Sequence, residues 1–241
     1  MTFYLIGLGL NENSITKESI GILNKCKKIY LENYTVDFPY KIEELEKSIG
    51  RKVISLDRER VEKEEFVVDA KKIDVALLVY GSPLSATTHY SALMRCRKEG
   101  IKYRIIYNGS IFDAIAETGL QIYKFGKTAS MPKWIKGKYE PMSFIELVRD
   151  NIKIKSHTII LVDIGLEFED AIWQLIETIK RNKIDSDKII VCSSLGTENS
   201  RIYYGKFNKL LDLDVRKPFC FVIPSDELHF TEEEVLEEFK V

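Results

Sequence analysis

Histidine is scarce in this chain. Only three occur among 241 residues, and His89, His157 and His229 stand far apart. No H-x-x-x-H pair and no Cys/His cluster accompanies them, so the ligand spacing of a zinc site is missing and no metal is expected. The four cysteines, Cys26, Cys96, Cys192 and Cys220, form no C-x-x-C pair. Cys26 falls on a helical apolar period and Cys192 and Cys220 on strand-like runs, as buried, reduced thiols of a cytosolic protein would. Net charge is lacking too: 36 Lys and Arg against 37 Asp and Glu leave −1. Without a basic excess, no direct nucleic-acid binding is expected. No stretch approaches the ~20 apolar residues of a membrane span. The N-terminus lacks the basic segment and small-residue cleavage site of a signal peptide. A cytoplasmic protein with no membrane contact is the expectation. A nucleophile elbow, G-x-S-x-G, and a P-loop are also absent.

What is present suits a packed globular protein: 45% hydrophobic and 11% aromatic residues. Strand-like apolar runs near 3–8, 28–32, 52–56, 74–80 and 103–107 alternate with helical periods near 15–26, 39–48, 59–70, 87–98 and 111–118. Short strands separated by helices of ten to twelve residues imply a mostly parallel sheet covered on both faces. Pro39 suits a first helical turn, and Gly50, Gly100 and Gly119 suit helix ends. Ser110 with Asp113, Ser143 with Glu146, and Thr231 with Glu234 have the spacing of capping boxes. The segment "KFGKTASMPKWIKGKYEPM" has no sustained period and reads as a linker or long loop. Beyond it come strands "HTIILVDI", "KIIVCSS" and "FCFVIP", with a helix from about Phe168 to Arg181. The fold class is α/β, two αβ domains in series at 1–120 and 121–241, the first sheet mostly parallel and the second mixed, with a cleft between them.

The opening "FYLIGLGL" is a buried strand running into Gly7 and Gly9, where a missing Cβ permits close backbone approach. A dinucleotide fingerprint would need a third glycine, and Glu12 stands there instead. Glu32, ending "KIYLE", could imitate a ribose-binding acid and keeps that reading weakly alive. The Gly-Lys-Thr of "FGKTAS" has no upstream glycine at Gln121 and reads as chance. Lys124, Lys127, Lys133, Lys136 and Lys138 form a basic cluster, either a solvated loop or a surface for an acidic macromolecule. Three strand ends are rich in small residues: "GLGL", "YGSPLSATTH" and "YNGSI". In an open parallel sheet such loops converge on one crevice, the usual ligand site. Open backbone groups with few charges suit a nucleoside-like ligand better than a triphosphate.

Over essentially its full length the sequence resembles the diphthine synthases, in the tetrapyrrole-methylase-like class of S-adenosylmethionine-dependent methyltransferases. "GSPLSATTH" and "GLQIYKFGKTAS" carry the specific part of that resemblance, and "FYLIGLGL" the general part. It implies a homodimer with S-adenosylmethionine bent into the interdomain cleft and S-adenosylhomocysteine as product. It implies methyl transfer to the amino group of a modified histidine on elongation factor 2, in diphthamide biosynthesis. Carried over by position, the cofactor contacts are Leu10, Ser82, Ser85, Ser110 and Ile111 in the first domain, and Val162, Leu195 and Phe219 in the second. The chain has Gly81-Ser82-Pro83 where the family has Gly-Asp-Pro, a Leu195 where a small residue is usual, and a Phe219 in place of histidine. Ser82 keeps a hydrogen-bonding group and loses a charge that would favour the cofactor's cationic end. No catalytic acid or base is assigned, since the sulfonium brings its own leaving group and positioning alone is worth ~7–11 kcal/mol. His89 is the nearest candidate, beside a capping or structural role. Two alternatives stand: a precorrin-type tetrapyrrole methyltransferase of the same fold, and a non-catalytic nucleoside-binding module.

Overall fold

A computed structural model describes all 241 residues. The chain divides into two compact units, 1–114 and 115–241.

In the first unit, strands β1 (Thr2–Gly7), β2 (Lys28–Glu32), β3 (Ile54–Leu56), β4 (Val75–Val79) and β5 (Lys102–Ile106) form one sheet in the order β3-β2-β4-β1-β5. Every pairing is parallel. Helices α1 (Lys17–Leu23), α2 (Ile42–Ile49), α3 (Arg58–Glu62), α4 (Glu65–Ala70), α5 (Tyr90–Lys98) and α6 (Ile111–Ala114) connect the strands and leave the last of them. The side-chain period of two sends Ile6, Ile29, Leu31, Ala76 and Leu78 to a face shared with Leu23 of α1 and Leu45 of α2. Phe3, Leu5, Val75, Leu77 and Val79 face the other way, onto α3, α4 and α5. Crossovers running toward β3 and crossovers running back toward β5 must lie on opposite faces if all are right-handed, and they do.

In the second unit, β6 (Ala129–Met131), β7 (Thr158–Val162), β8 (Lys188–Ser193), β9 (Arg201–Lys206) and β10 (Phe219–Ile223) form a mixed sheet, order β6-β7-β10-β8-β9. Only β6–β7 is parallel. Helices α7 (Phe144–Lys153), α8 (Phe168–Arg181) and α9 (Phe207–Leu210) cover the face bearing Ile160, Val191 and Phe221. α10 (Phe230–Glu238) is tied to β9, where the Tyr204 amide donates to Phe239 O at 2.8 Å. All four cysteines are buried and unpaired. No helix is long and apolar enough to cross a membrane.

Several local expectations are corrected. The single helix expected over 59–70 is two helices, broken where Glu64 adopts φ +52°. Arg95 holds that break, reaching the Glu64 carboxylate at 3.1 Å and Lys63 O at 3.4 Å. Pro39 lies outside α2, which starts at Ile42 with Glu44 accepting from the Lys41 amide at 2.9 Å. The helix expected from 87 begins at Tyr90, and the Thr87 hydroxyl instead donates to Pro83 O. Ser143 makes no side-chain capping bond: its backbone is already helical, at φ −59° and ψ −25°, and the Glu146 amide donates to Ser143 O at 3.2 Å. The last helix is capped from His229 and Glu232, two residues earlier than expected. The apparent linker contains β6.

Candidate active site

The loops leaving β1, β4 and β5 meet at the carboxyl edge of the first sheet. The Leu8 amide donates to Val79 O at 2.9 Å, and Gly9 and Gly81 exchange backbone bonds of 2.9 and 3.1 Å. A Cβ on Gly7 would stand 2.6 Å from Gly81 O and 2.9 Å from Pro83 Cδ. The close approach that requires this glycine is therefore the neighbouring loop, not a ligand. Asn108 clamps the same knot: its Nδ2 donates to Gly7 O at 3.2 Å and Ser14 O at 3.0 Å, and its Oδ1 accepts from the Gly109 amide. The Tyr80 hydroxyl donates to Leu10 O at 2.9 Å. Asn108 and Tyr80 escaped the sequence reading. The only signal was their place inside the two quoted loops.

Leu10, Ser82, Ser85 and Ile111 are half-buried around this knot. The Ser85 amide donates to Ser82 O at 3.1 Å, closing a turn. Ser110 caps α6 as its spacing suggests. Its amide and hydroxyl both donate to Asp113 Oδ2, at 2.7 and 2.9 Å, and its Oγ accepts from the Phe112 amide. Its polar capacity is thus taken up inside the chain, and packing is what it can offer a ligand. An added Cβ on Gly109 would meet nothing within 4 Å, so the rim is open there.

The three remaining predicted residues gather on one edge of the second sheet. β10 pairs antiparallel with both β7 and β8, Phe219 opposite Ser193 and Cys220 opposite Leu161. That register brings the end of β7, at Val162, beside the start of β10, at Phe219, while Leu195 follows β8. Ser193 Oγ donates to Arg216 O, the Ser194 amide to Pro218 O and Ser194 Oγ to Lys217 O, at 2.8, 2.8 and 3.1 Å. Ser194 turns with φ +50°. Leu195 is buried, while Val162 and Phe219 are half-buried. Phe219 stands edge-on to Phe168 at 5.7 Å and to Phe221 at 5.8 Å. Its ring is anchored in the core with part of it exposed.

Other candidates resolve into structure. Gly126 and Lys127 of the Gly-Lys-Thr are stitched to Asn151: a Cβ on Gly126 would sit 2.2 Å from its Oδ1, and the Lys127 amide donates to it at 2.9 Å. Glu32 is fully buried, accepting from the Tyr34 and Thr35 amides at 2.8 and 2.7 Å and the Thr35 hydroxyl at 2.5 Å. It organises its own loop. No group of three or more His, Cys, Asp or Glu could hold a metal ion. His89, at the start of α5, is 3% exposed, and neither ring nitrogen has a partner. Burial lowers its pKa below the usual value, and the Glu32 carboxylate partly opposes that.

None of the eight positions is ionisable. At these positions each edge offers aliphatic or aromatic surface, with serine hydroxyls on the first; Arg216 and Lys217 stand beside Phe219 on the second.

Comparison with known proteins agrees with the architecture. The family model for tetrapyrrole (corrin/porphyrin) methylases matches residues 2–211. A diphthine synthase of Methanococcus maripaludis is 36% identical over 247 residues, 96% of this chain and 96% of that protein. The diphthine methyl ester synthase of Schizosaccharomyces pombe is 34% identical, covering 99% of this chain and 94% of that one. A crystal structure of diphthine synthase superposes with a TM-score of 0.89 at 28% identity, spanning 100% of this chain and 96% of the other.

Proposed function

This chain belongs to the tetrapyrrole methylase family, and from that premise we propose that it is a diphthine synthase. On this reading it moves methyl groups from S-adenosylmethionine to the amino group of the modified histidine on elongation factor 2, acting as a homodimer in the cytoplasm. The observation that carries it is whole-chain similarity to diphthine synthases and diphthine methyl ester synthases of archaea and eukaryotes. That similarity continues past residue 211, where the broader methylase model ends, which favours this substrate over a tetrapyrrole.

Leu10, Ser82, Ser85, Ser110 and Ile111 would hold the cofactor from the first unit, and Val162, Leu195 and Phe219 from the second. When bound, S-adenosylmethionine supplies a methyl group activated by its sulfonium. The chain's own part is to orient and to exclude water. Ser82 offers a neutral hydroxyl, and a neutral hydrogen bond is about half as strong as a charge-assisted one. The exposed part of the Phe219 ring can stack on a purine. The Gly7–Gly81–Asn108 knot fixes the first-unit rim, so that positioning does not depend on mobile loops.

Mass spectrometry of the modified-histidine peptide decides the assignment. The purified chain, S-adenosylmethionine and elongation factor 2 carrying the incomplete modification should yield a peptide heavier by whole methyl increments. An increment lost in mild alkali would mark an ester, the product named for the eukaryotic relatives. No added mass, with cofactor binding shown, would remove the proposal.

A further inference from the structure

Three buried side-chain polar atoms find no partner in the whole molecule: the Tyr40 hydroxyl and both ring nitrogens of His89. All three belong to segments that follow β2 or β4, at the carboxyl edge of the first sheet. Buried polar groups are almost always satisfied, since a buried group left without its bond loses its hydration and gains nothing in return, so His89 with two unmade bonds needs a reason. Its helix does not supply one, because the ring caps no backbone group of α5. Glu32 does not either: its carboxylate accepts from three donors on residues 34 and 35, and neither ring nitrogen of His89 bonds to it. Ala86, three residues before His89, holds φ +54°, unfavourable for a residue with a Cβ. Strain of this kind collects where a ligand will act. A buried neutral imidazole with a free nitrogen, and a fixed carboxylate nearby to steady it once charged, is the arrangement of a proton acceptor.

We propose that His89 is a catalytic residue, the base that takes the proton from the ammonium nitrogen of the acceptor side chain. This rests on the methyltransferase reading above. An amine nitrogen is nucleophilic only when its lone pair is free. One N–H bond of the ammonium breaks, its electron pair stays on nitrogen, and the proton goes to a ring nitrogen of His89. The freed pair would then form the bond to the methyl carbon while the carbon–sulfur bond of the sulfonium breaks, its pair staying on sulfur as the neutral thioether of S-adenosylhomocysteine, and the imidazolium returns its proton to water before the next transfer.

The test uses the full chain with S-adenosylmethionine and elongation factor 2 bearing the incomplete modification. It compares wild type with His89→Gln and His89→Leu. Near neutral pH, His89→Gln should lower kcat by about 10²–10⁴-fold and leave the cofactor Kd unchanged. That deficit should shrink as pH rises through about 8–10, where an aliphatic amine loses its proton unaided. His89→Leu should be equally inactive, with a Tm equal to or above wild type. A structural histidine would instead lower Tm in both variants. That result, a deficit independent of pH, or a Kd that weakens in step with kcat would overturn the assignment. A wild-type chain that binds the cofactor and transfers nothing would remove the methyltransferase reading, and this one with it.

Discussion

In the second unit the imidazole of His157 is held on both sides. The Ser225 amide donates to its Nδ1 at 2.9 Å, so the ring proton sits on Nε2 and donates to Glu232 Oε1 at 3.1 Å. In the first unit His89 is equally buried and touches no donor or acceptor. Burial lowers the pKa of both rings. The difference lies in what surrounds them. Glu232 is a hub: Lys124 Nζ at 2.5 Å, the Gln121 and His229 amides at 2.9 and 2.8 Å, and His157 all point at one fully buried carboxylate. Burial alone would raise its pKa, yet these donors pull it down to about 2. A histidine locked into such a hub joins α10 to the strand it caps. A histidine left without one is free to act on something else.

That contrast can be broken at its strongest point first. Glu232→Ala removes the hub, stranding the His157 N–H and two backbone amides and leaving Lys124 without its carboxylate. Unfolding in denaturant should show a loss of about 3–5 kcal/mol, the cost of breaking a buried pair from one side. Next comes the knot that shapes the first-unit rim. Gly7→Ala drives a Cβ to 2.6 Å from Gly81 O and should cost about 1–3 kcal/mol together with cofactor affinity. Gly109→Ala on the same rim meets open space and should stay within about 0.5 kcal/mol, as calorimetry of both variants would show.

Acid titration of stability separates the two units more gently. A folded His pKa below the ordinary 6.5 means the unfolded chain binds more protons there, so stability falls as pH drops from about 6.5. Glu232, depressed from an ordinary 4.5 to about 2, contributes fully above 4.5, and its share is lost as pH falls through about 2. His89→Leu should flatten the first decline partly and leave the second unchanged.

Much of the layered architecture was legible because burial on both faces leaves continuous apolar runs, as in "VALLV" and "FYLI". Hence β2 and α8 fall at their expected bounds and the other strands of the first sheet within a few residues, whereas β6, β9 and α9, short or amphipathic, were not legible. Caps and breaks were not legible in the same way. Thr231 with Glu234 matches a capping box as well as His229 with Glu232 does in type and position. The second pair prevails because Glu232 is also claimed by Lys124 and His157, residues over seventy positions away. Likewise Glu64 ends a helix because Arg95, on α5, reaches it. Asn108 carries no local mark of its clamp, because Gly7 O and Ser14 O come within its reach only when β5 pairs with β1. The small residues of the three strand-end loops marked the rim. Why they must be small emerged only when Gly81 O was found against Gly7.

By itself the sequence determined the two kinds of sheet, the strand ends that matter and the family to which the motifs point, because periodicity and glycine placement act over a few residues. Which histidine is held and which is left open was decided by tertiary structure. Hydrogen-bond satisfaction of a buried ring depends on donors and acceptors brought together from distant segments, and no local pattern records which of them arrive.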